Sequence, residues 1–332
     1  MTTTPTHSEQ FWVTEPGKGE LIRKPLPSIS DEDIVIKTLY TGISRGTETL
    51  VFHGRVPVSQ YNLMRAPFQE GDFPSPVKYG YSNVGTCIYA PDSFRTTFLN
   101  KTFFSLFPHQ DVFVIPSTSV IELPSLLPPE RAILAPSMET AINATWDGKP
   151  KVGDNIMVIG GGVIGLLVAY LSNRIEGAKV LLVDPESNRK RIADALNIDF
   201  STEPTRSFSP NLIFHASGNP NGLRTALSLA PLDSTIVELS WYGNKEISLP
   251  LGENFHSHRL TLQSSQVSNI PPSHSPQWDH KKRLELALKL LMDNALDILI
   301  AGESPFEEMP KLFSNDPGTP AINLCHRITY LD

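Results

Sequence analysis

Cysteine is nearly missing: Cys87 and Cys325 are the only two in 332 residues. So few, and so far apart in sequence, they exclude a disulfide framework and any multi-cysteine zinc site. That usage fits a reducing cytoplasm, where the chain is expected to reside. Basic residues are also short, 28 Lys+Arg against 35 Asp+Glu, for a formal charge of −7. Nucleic-acid binding draws on clustered Lys and Arg to neutralise phosphates, so no nucleic-acid partner is expected. The nine histidines form no tract, and there is no internal repeat or low-complexity segment. Residues 1–7 lack the basic and apolar regions of a secretory signal. One uncharged run, residues 155–173, has the length of a membrane span, which takes about 17–25 residues. Gly160, Gly161, Gly162 and Gly165 interrupt it, so it reads as a strand, turn and helix, with no membrane partner.

Hydrophobic residues make up 40% and charged ones 19%, enough apolar matter for a core and too much for disorder. Chain length suggests two domains, at roughly 100–200 residues each. Residues 1–136 read as β-rich, with short apolar runs at 33–40 and 112–115. Sixteen of the 29 prolines lie in the first 150 residues, which disfavours long helices there. From Ser137 the texture changes to alternation. Strands are predicted at 155–159, 179–183, 212–216, 235–239 and 260–267, and helices at 163–173, 185–196 and 221–229. That order indicates a doubly wound parallel sheet. An amphipathic helix at 281–292 and a strand at 327–330 follow.

Gly160-Gly161-Gly162-Val163-Ile164-Gly165 satisfies G-x-G-x-x-G at a strand-to-helix junction, where a dinucleotide site requires it. Gly160 makes the tight turn, Gly162 lets a pyrophosphate approach the backbone, and Gly165 lets helix and sheet pack closely. Free N–H groups at Val163 and Ile164 would then meet the phosphates. Asp184, 24 positions after Gly160, ends the next strand. A carboxylate there accepts from both ribose hydroxyls and repels a 2′-phosphate, so NAD is favoured over NADP. Arg189-Lys190-Arg191 is the competing signal for a phosphate and is read as a solvated helix face. Ser217 and Trp241, each just past a predicted strand, complete the cofactor-binding set.

With this motif mid-chain behind a β-rich half, the sequence resembles the medium-chain dehydrogenase/reductase superfamily, which is alcohol-dehydrogenase-like. Thr41-Gly42-Ile43-Ser44 looks like its G-I-C turn, and Lys78-Tyr79-Gly80-Tyr81 stands where G-H-E is expected. Residues 299–307 resemble the return of the chain to the first domain. The resemblance implies an α/β fold, with a GroES-like β-rich catalytic domain at 1–136 and 279–332 and a Rossmann domain at 137–278. It also implies a homodimer through sheet edges and a small-molecule substrate. Residues 42–48, G-I-S-R-G-T-E, are most similar to bacteriochlorophyllide a dehydrogenase-like proteins, a likeness that carries no substrate with it.

The departures point to a zinc-lacking branch. Ser44 replaces the cysteine ligand and Tyr81 the histidine, and the third position falls near Ala135 or Pro136. Neither serine nor alanine can complete a tetrahedral N/S site, so no metal is expected. A proton donor must then do what the metal does elsewhere. Tyr81 is the first candidate, with Lys78 as a cation to lower its pKa. The alternative is a core aromatic with a satisfied hydroxyl. Glu139 falls by counting where relatives meet the nicotinamide, and otherwise reads as a helix-dipole acid. Glu48, after Thr47, is a proton relay or a partner of Arg45, and Arg45 itself is assigned to the pyrophosphate. His109 and Gln110 read as a surface loop. Three functions stay open: a zinc-independent NAD(H)-dependent alcohol/ketone oxidoreductase, an NADPH-dependent quinone or enone reductase, and an inactive nucleotide-binding regulatory protein.

Overall fold

Asn155–Ile159 (β1) and Lys179–Val183 (β2) are short apolar segments with almost every side chain buried, the pattern of interior parallel strands. A computed structural model describes residues 5–313 and 324–330; positions 1–4, on which much of the leader reading rests, lie outside them. The chain divides into two units, residues 1–136 with 300–332, and residues 137–299.

In the second unit β1 and β2 are joined by Asp199–Ser201 (β3), Leu212–His215 (β4), Thr235–Glu238 (β5) and Thr261–Ser264 (β6). Their order is β3-β2-β1-β4-β5-β6, all parallel. This is the dinucleotide-fold order, whose switch point falls between β1 and β4. Helices Ala135–Gly148 (α1), Val163–Ser172 (α2), Arg189–Ala195 (α3), Pro220–Leu229 (α4) and His280–Leu290 (α5) complete it. Met157, Ile213, Leu223, Leu227 and Ile236 form its core.

Two expectations shift here. The helix predicted from residue 185 starts at Arg189, because Asp184 Oδ1 accepts from Glu186 N (2.9 Å) and so holds a turn rather than capping a helix. The return to the first unit comes at Ile300, not at 279. Residues 279–299 are tied to the second unit by Arg283, which reaches Glu139, and by Asp293, which accepts from Tyr170 OH at 2.7 Å and Arg174 Nη2 at 2.9 Å.

The first unit is built on Asp33–Ile43, which pairs antiparallel with Asn83–Tyr89, Val112–Pro116 and Cys325–Thr329. Ile300–Pro305 adds parallel to Cys325–Thr329, so the returning chain is stitched into the same sheet. A smaller sheet contains His7–Glu15, Lys18–Pro25, Glu70–Gly71 and Val77–Lys78. Ile34, Ile36, Phe103, Phe107, Phe113 and Ile115 fill one core. Among the described residues no helix is long and apolar enough to cross a membrane. Residues 155–173 are β1, a turn and α2.

Candidate functional site

The glycine loop of the second unit joins β1 to α2. Gly160 has φ +113°, and a Cβ there would lie 2.6 Å from Ser217 N, so β1 and the loop after β4 touch backbone to backbone. A Cβ on Gly165 would lie 1.8 Å from Gly160 O, which only glycine avoids. At Gly162 a Cβ would meet nothing within 4 Å, leaving the surface open. Gly162 is the N-cap of α2 and offers no side-chain cap. The N–H groups of the first turn, including Val163 and Ile164, therefore remain for a ligand.

Asp184 Oδ2 accepts from Gly161 N at 2.6 Å, which ties the end of β2 to the loop. Each carboxylate oxygen keeps a lone pair for ribose hydroxyls. Arg189 overturns the reading of a solvated helix face. It is 8% exposed, and its Cγ would lie 3.2 Å from a Cβ on Gly161, because as the first residue of α3 it folds back beneath the loop. Lys190 and Arg191 are exposed, as read, and Lys190 pairs with Asp194.

Past β4 and β5 lies a polar cluster that the sequence reading did not identify. The β4–β5 register sets His215 opposite Glu238. His215 Nδ1 is 2.7 Å from Glu238 Oε2, and its Nε2 is 2.7 Å from Ser217 Oγ. Tyr242 OH donates to Glu238 Oε2 at 3.1 Å, and Ser240 N to Oε1 at 2.7 Å. Ser217 is exposed beside Gly160, and Trp241 is half-buried after β5. A histidine and a glutamate closing adjacent predicted strands were the available signal.

In the first unit Ser44 stands at the N-cap position of the helix Arg45–Phe52 without a side-chain cap bond, and on that helix Arg45 is exposed and Thr47 half-buried. Glu48 is buried, accepting from Ser44 N at 2.7 Å through Oε1 and meeting His109 Nε2 at 2.9 Å through Oε2. His109 Nδ1 is 2.7 Å from Thr41 Oγ1, which is 3.2 Å from Tyr330 OH. His109 and Gln110 are thus core residues, not a surface loop. Gly80, at φ +134°, makes room: its Cβ would lie 2.7 Å from His109 Cδ2.

Tyr81 sits within hydrogen-bonding reach of the Ser44 and Thr47 side chains, and burial pushes its phenol up to about 12. Lys78 does not lower it. The ammonium is buried, paired with Glu70 and donating to Gln110 Oε1 at 2.7 Å, and burial lowers its own pKa. Glu139 is buried. It is held in the second unit by Arg283 Nε at 3.0 Å, whose other nitrogens donate to Asn143 Oδ1 and Val267 O.

Where the resemblance would place metal ligands, the donors present do not fit zinc. Ser44 and Tyr81 are hydroxyls, the latter firmly protonated, and Ala135 has no donor. Glu48 and His109 bond each other, and among the described residues no three His, Cys, Asp or Glu side chains are grouped to hold a metal ion.

No protein-family profile matches the chain. D-guloside 3-dehydrogenase of Escherichia coli K12 is 25% identical over 180 residues, so the match spans about half of each protein. An uncharacterized zinc-type alcohol dehydrogenase-like protein of Haemophilus influenzae is 24% identical over 326 residues, 88% of this chain and 90% of that one. Two solved structures share the fold. One, described as a zinc-binding dehydrogenase of Sinorhizobium meliloti bound to NADP, has TM-score 0.76 and 16% identity, covering 98% of this chain and 100% of the other. The second, described as a short chain alcohol dehydrogenase (rspB) of E. coli CFT073 with NADH, has TM-score 0.73 and 17% identity at the same coverage. The fold they share is the α/β one expected from the sequence, a GroES-like β-rich unit and a Rossmann unit.

Proposed function

We propose that this protein is a zinc-independent, NAD(H)-dependent oxidoreductase that interconverts a secondary alcohol and a ketone on a small molecule. The observation that carries it is the loop Gly160–Gly165 with Asp184 bonded to Gly161 N, an intact dinucleotide cradle. Val163, Ile164 and the α2 N-terminus would hold the pyrophosphate, Asp184 the adenosine ribose, and Ser217 and Trp241 the far half. When bound, the dinucleotide supplies or accepts the hydride. Superfamily analogy extends the reading to a cytoplasmic homodimer.

Carbonyl reduction also consumes one proton. Zinc is left out on the donor chemistry of Ser44, Tyr81 and Ala135, although relatives are named zinc-type. Tyr81 supplies that proton as a neutral phenol, hydrogen-bonded with Ser44 and Thr47. Glu48, whose charge acts on Tyr81, heads a separate buried hydrogen-bonded chain through His109 and Thr41 to Tyr330.

A second reading, an NADPH-dependent reductase of enones or quinones, is favoured by Arg189 beside Asp184, a cation near the 2′-position, and by a neighbour that binds NADP. Titrating NADH and NADPH by calorimetry separates the two. NADH should bind tighter, and Asp184→Ala should weaken it on the order of ten-fold, the loss of one hydrogen bond to a charged group. Decisive NADPH preference moves the assignment to the second reading; binding of neither removes both.

A further inference from the structure

Resting on the dinucleotide reading above, we propose that His215 and Glu238 are positioning residues that fix the polarity of Ser217. They make its hydroxyl oxygen a hydrogen-bond acceptor for the nicotinamide-riboside half of the ligand. Glu238 accepts from Ser240 N and Tyr242 OH, and an ionised carboxylate has no proton to give. The proton on the 2.7 Å contact to His215 therefore sits on Nδ1. In the tautomer protonated at Nδ1 the imidazole has a bare Nε2, and the Ser217 hydroxyl 2.7 Å away donates to it in preference to its other acceptor, Asn219 O at 3.4 Å.

Ser217 Oγ also accepts from Asn219 N at 3.1 Å. Its single proton is therefore engaged inward, and what it presents outward is a lone pair. His215 is 0% exposed, whereas Ser217 is exposed. Gly222, in the first turn of α4, has no side chain where a Cβ would lie 2.6 Å from both His215 Nε2 and Ser217 Oγ. The helix thus lies directly over that bond and shields it from water.

Sheet order says which part of the ligand arrives there. Asp184, just past β2, takes the adenosine ribose on one side of β1, and the pyrophosphate meets α2 at the switch point. The remaining riboside and its base fall on the β4 and β5 side, over Ser217. That half carries ribose hydroxyls and a carboxamide NH2, donors suited to an outward lone pair. Acyl transfer by a polarised serine does not fit. Gly218 N donates to Ser240 Oγ and Asn219 N to Ser217 itself, which leaves those two N–H groups unable to stabilise an oxyanion.

The test combines two measurements on the full chain. Long-range ¹H–¹⁵N NMR of the ligand-free protein should show His215 protonated at Nδ1, and an Nε2–H tautomer would overturn the proposal. NADH and ADP are then titrated against Ser217→Ala, His215→Leu, the double variant and Ser217→Thr. NADH affinity should fall about 3–10-fold in each single variant, the worth of one neutral hydrogen bond. ADP affinity should stay unchanged, the double variant should be no worse than either single one, and Ser217→Thr should restore binding. Additive losses, equal loss of ADP, or wild-type NADH affinity in Ser217→Ala would each overturn the proposal while leaving the dinucleotide reading intact. A wild-type protein that binds neither NADH nor ADP overturns both.

Discussion

Arg283 and Glu139 are deeply buried charges, with side chains 1% and 8% exposed. The guanidinium is fully engaged: Glu139 takes Nε, and Asn143 Oδ1 and Val267 O take the two terminal nitrogens. Burial pushes the Glu139 carboxyl up, and Arg283 opposes the shift. Because its folded pKa lies above the ordinary carboxylate value, the folded state binds more protons there, so stability declines as pH rises through the window just above 4.5. Glu139→Gln should flatten that slope in urea titrations. Removing the acid outright leaves a buried cation unpaired, so Glu139→Ala should cost about 3–5 kcal/mol, while Glu139→Met with Arg283→Met should recover most of it. Equal stability of Glu139→Ala and wild type would show that this pair does not hold α1 to α5.

Within the β1–α2 element the glycines divide by what surrounds them, and substitution separates their roles. Gly165→Ala places a methyl 1.8 Å from Gly160 O and should unseat α2 from β1, with loss of folded protein on thermal denaturation. Gly162→Ala meets nothing within 4 Å. It should leave stability within about 0.5 kcal/mol, yet weaken NADH on the order of ten-fold by crowding the pyrophosphate. Parallel losses in both variants would mean that Gly162 is structural. This element was legible from sequence because strand, turn and helix are contiguous and each glycine has one local reason. The Tyr330–Thr41–His109–Glu48 chain was not, since its first bond joins residues 289 positions apart. Arg189 was misjudged for a third reason. Asp184 holds a turn before α3, and that four-residue delay swings the arginine from the solvent face to the loop.

At the scale of the whole chain, the change of texture at Ser137 marks where one unit gives way to the other. The return was harder to read: the amphipathic pattern of α5 suits packing on either unit, and the bonds of Arg283 and Asp293 join this segment to the second. With the segment to Leu299 included, the second unit carries the complete six-stranded sheet, its own core and the whole glycine loop. A ligand that binds only the folded loop must stabilise that unit by mass action, about 2.7 kcal/mol at a concentration one hundred times its Kd. For a domain of this size each kcal/mol raises Tm by about 2–4 °C, so saturating NADH should lift its unfolding transition by about 5–10 °C in scanning calorimetry. Asp184→Ala at the same NADH concentration should lose about half of that shift, since a ten-fold weaker ligand stabilises by about 1.4 kcal/mol less. A transition that ignores NADH and NADPH alike would mean that the glycine loop, for all its geometry, holds no dinucleotide.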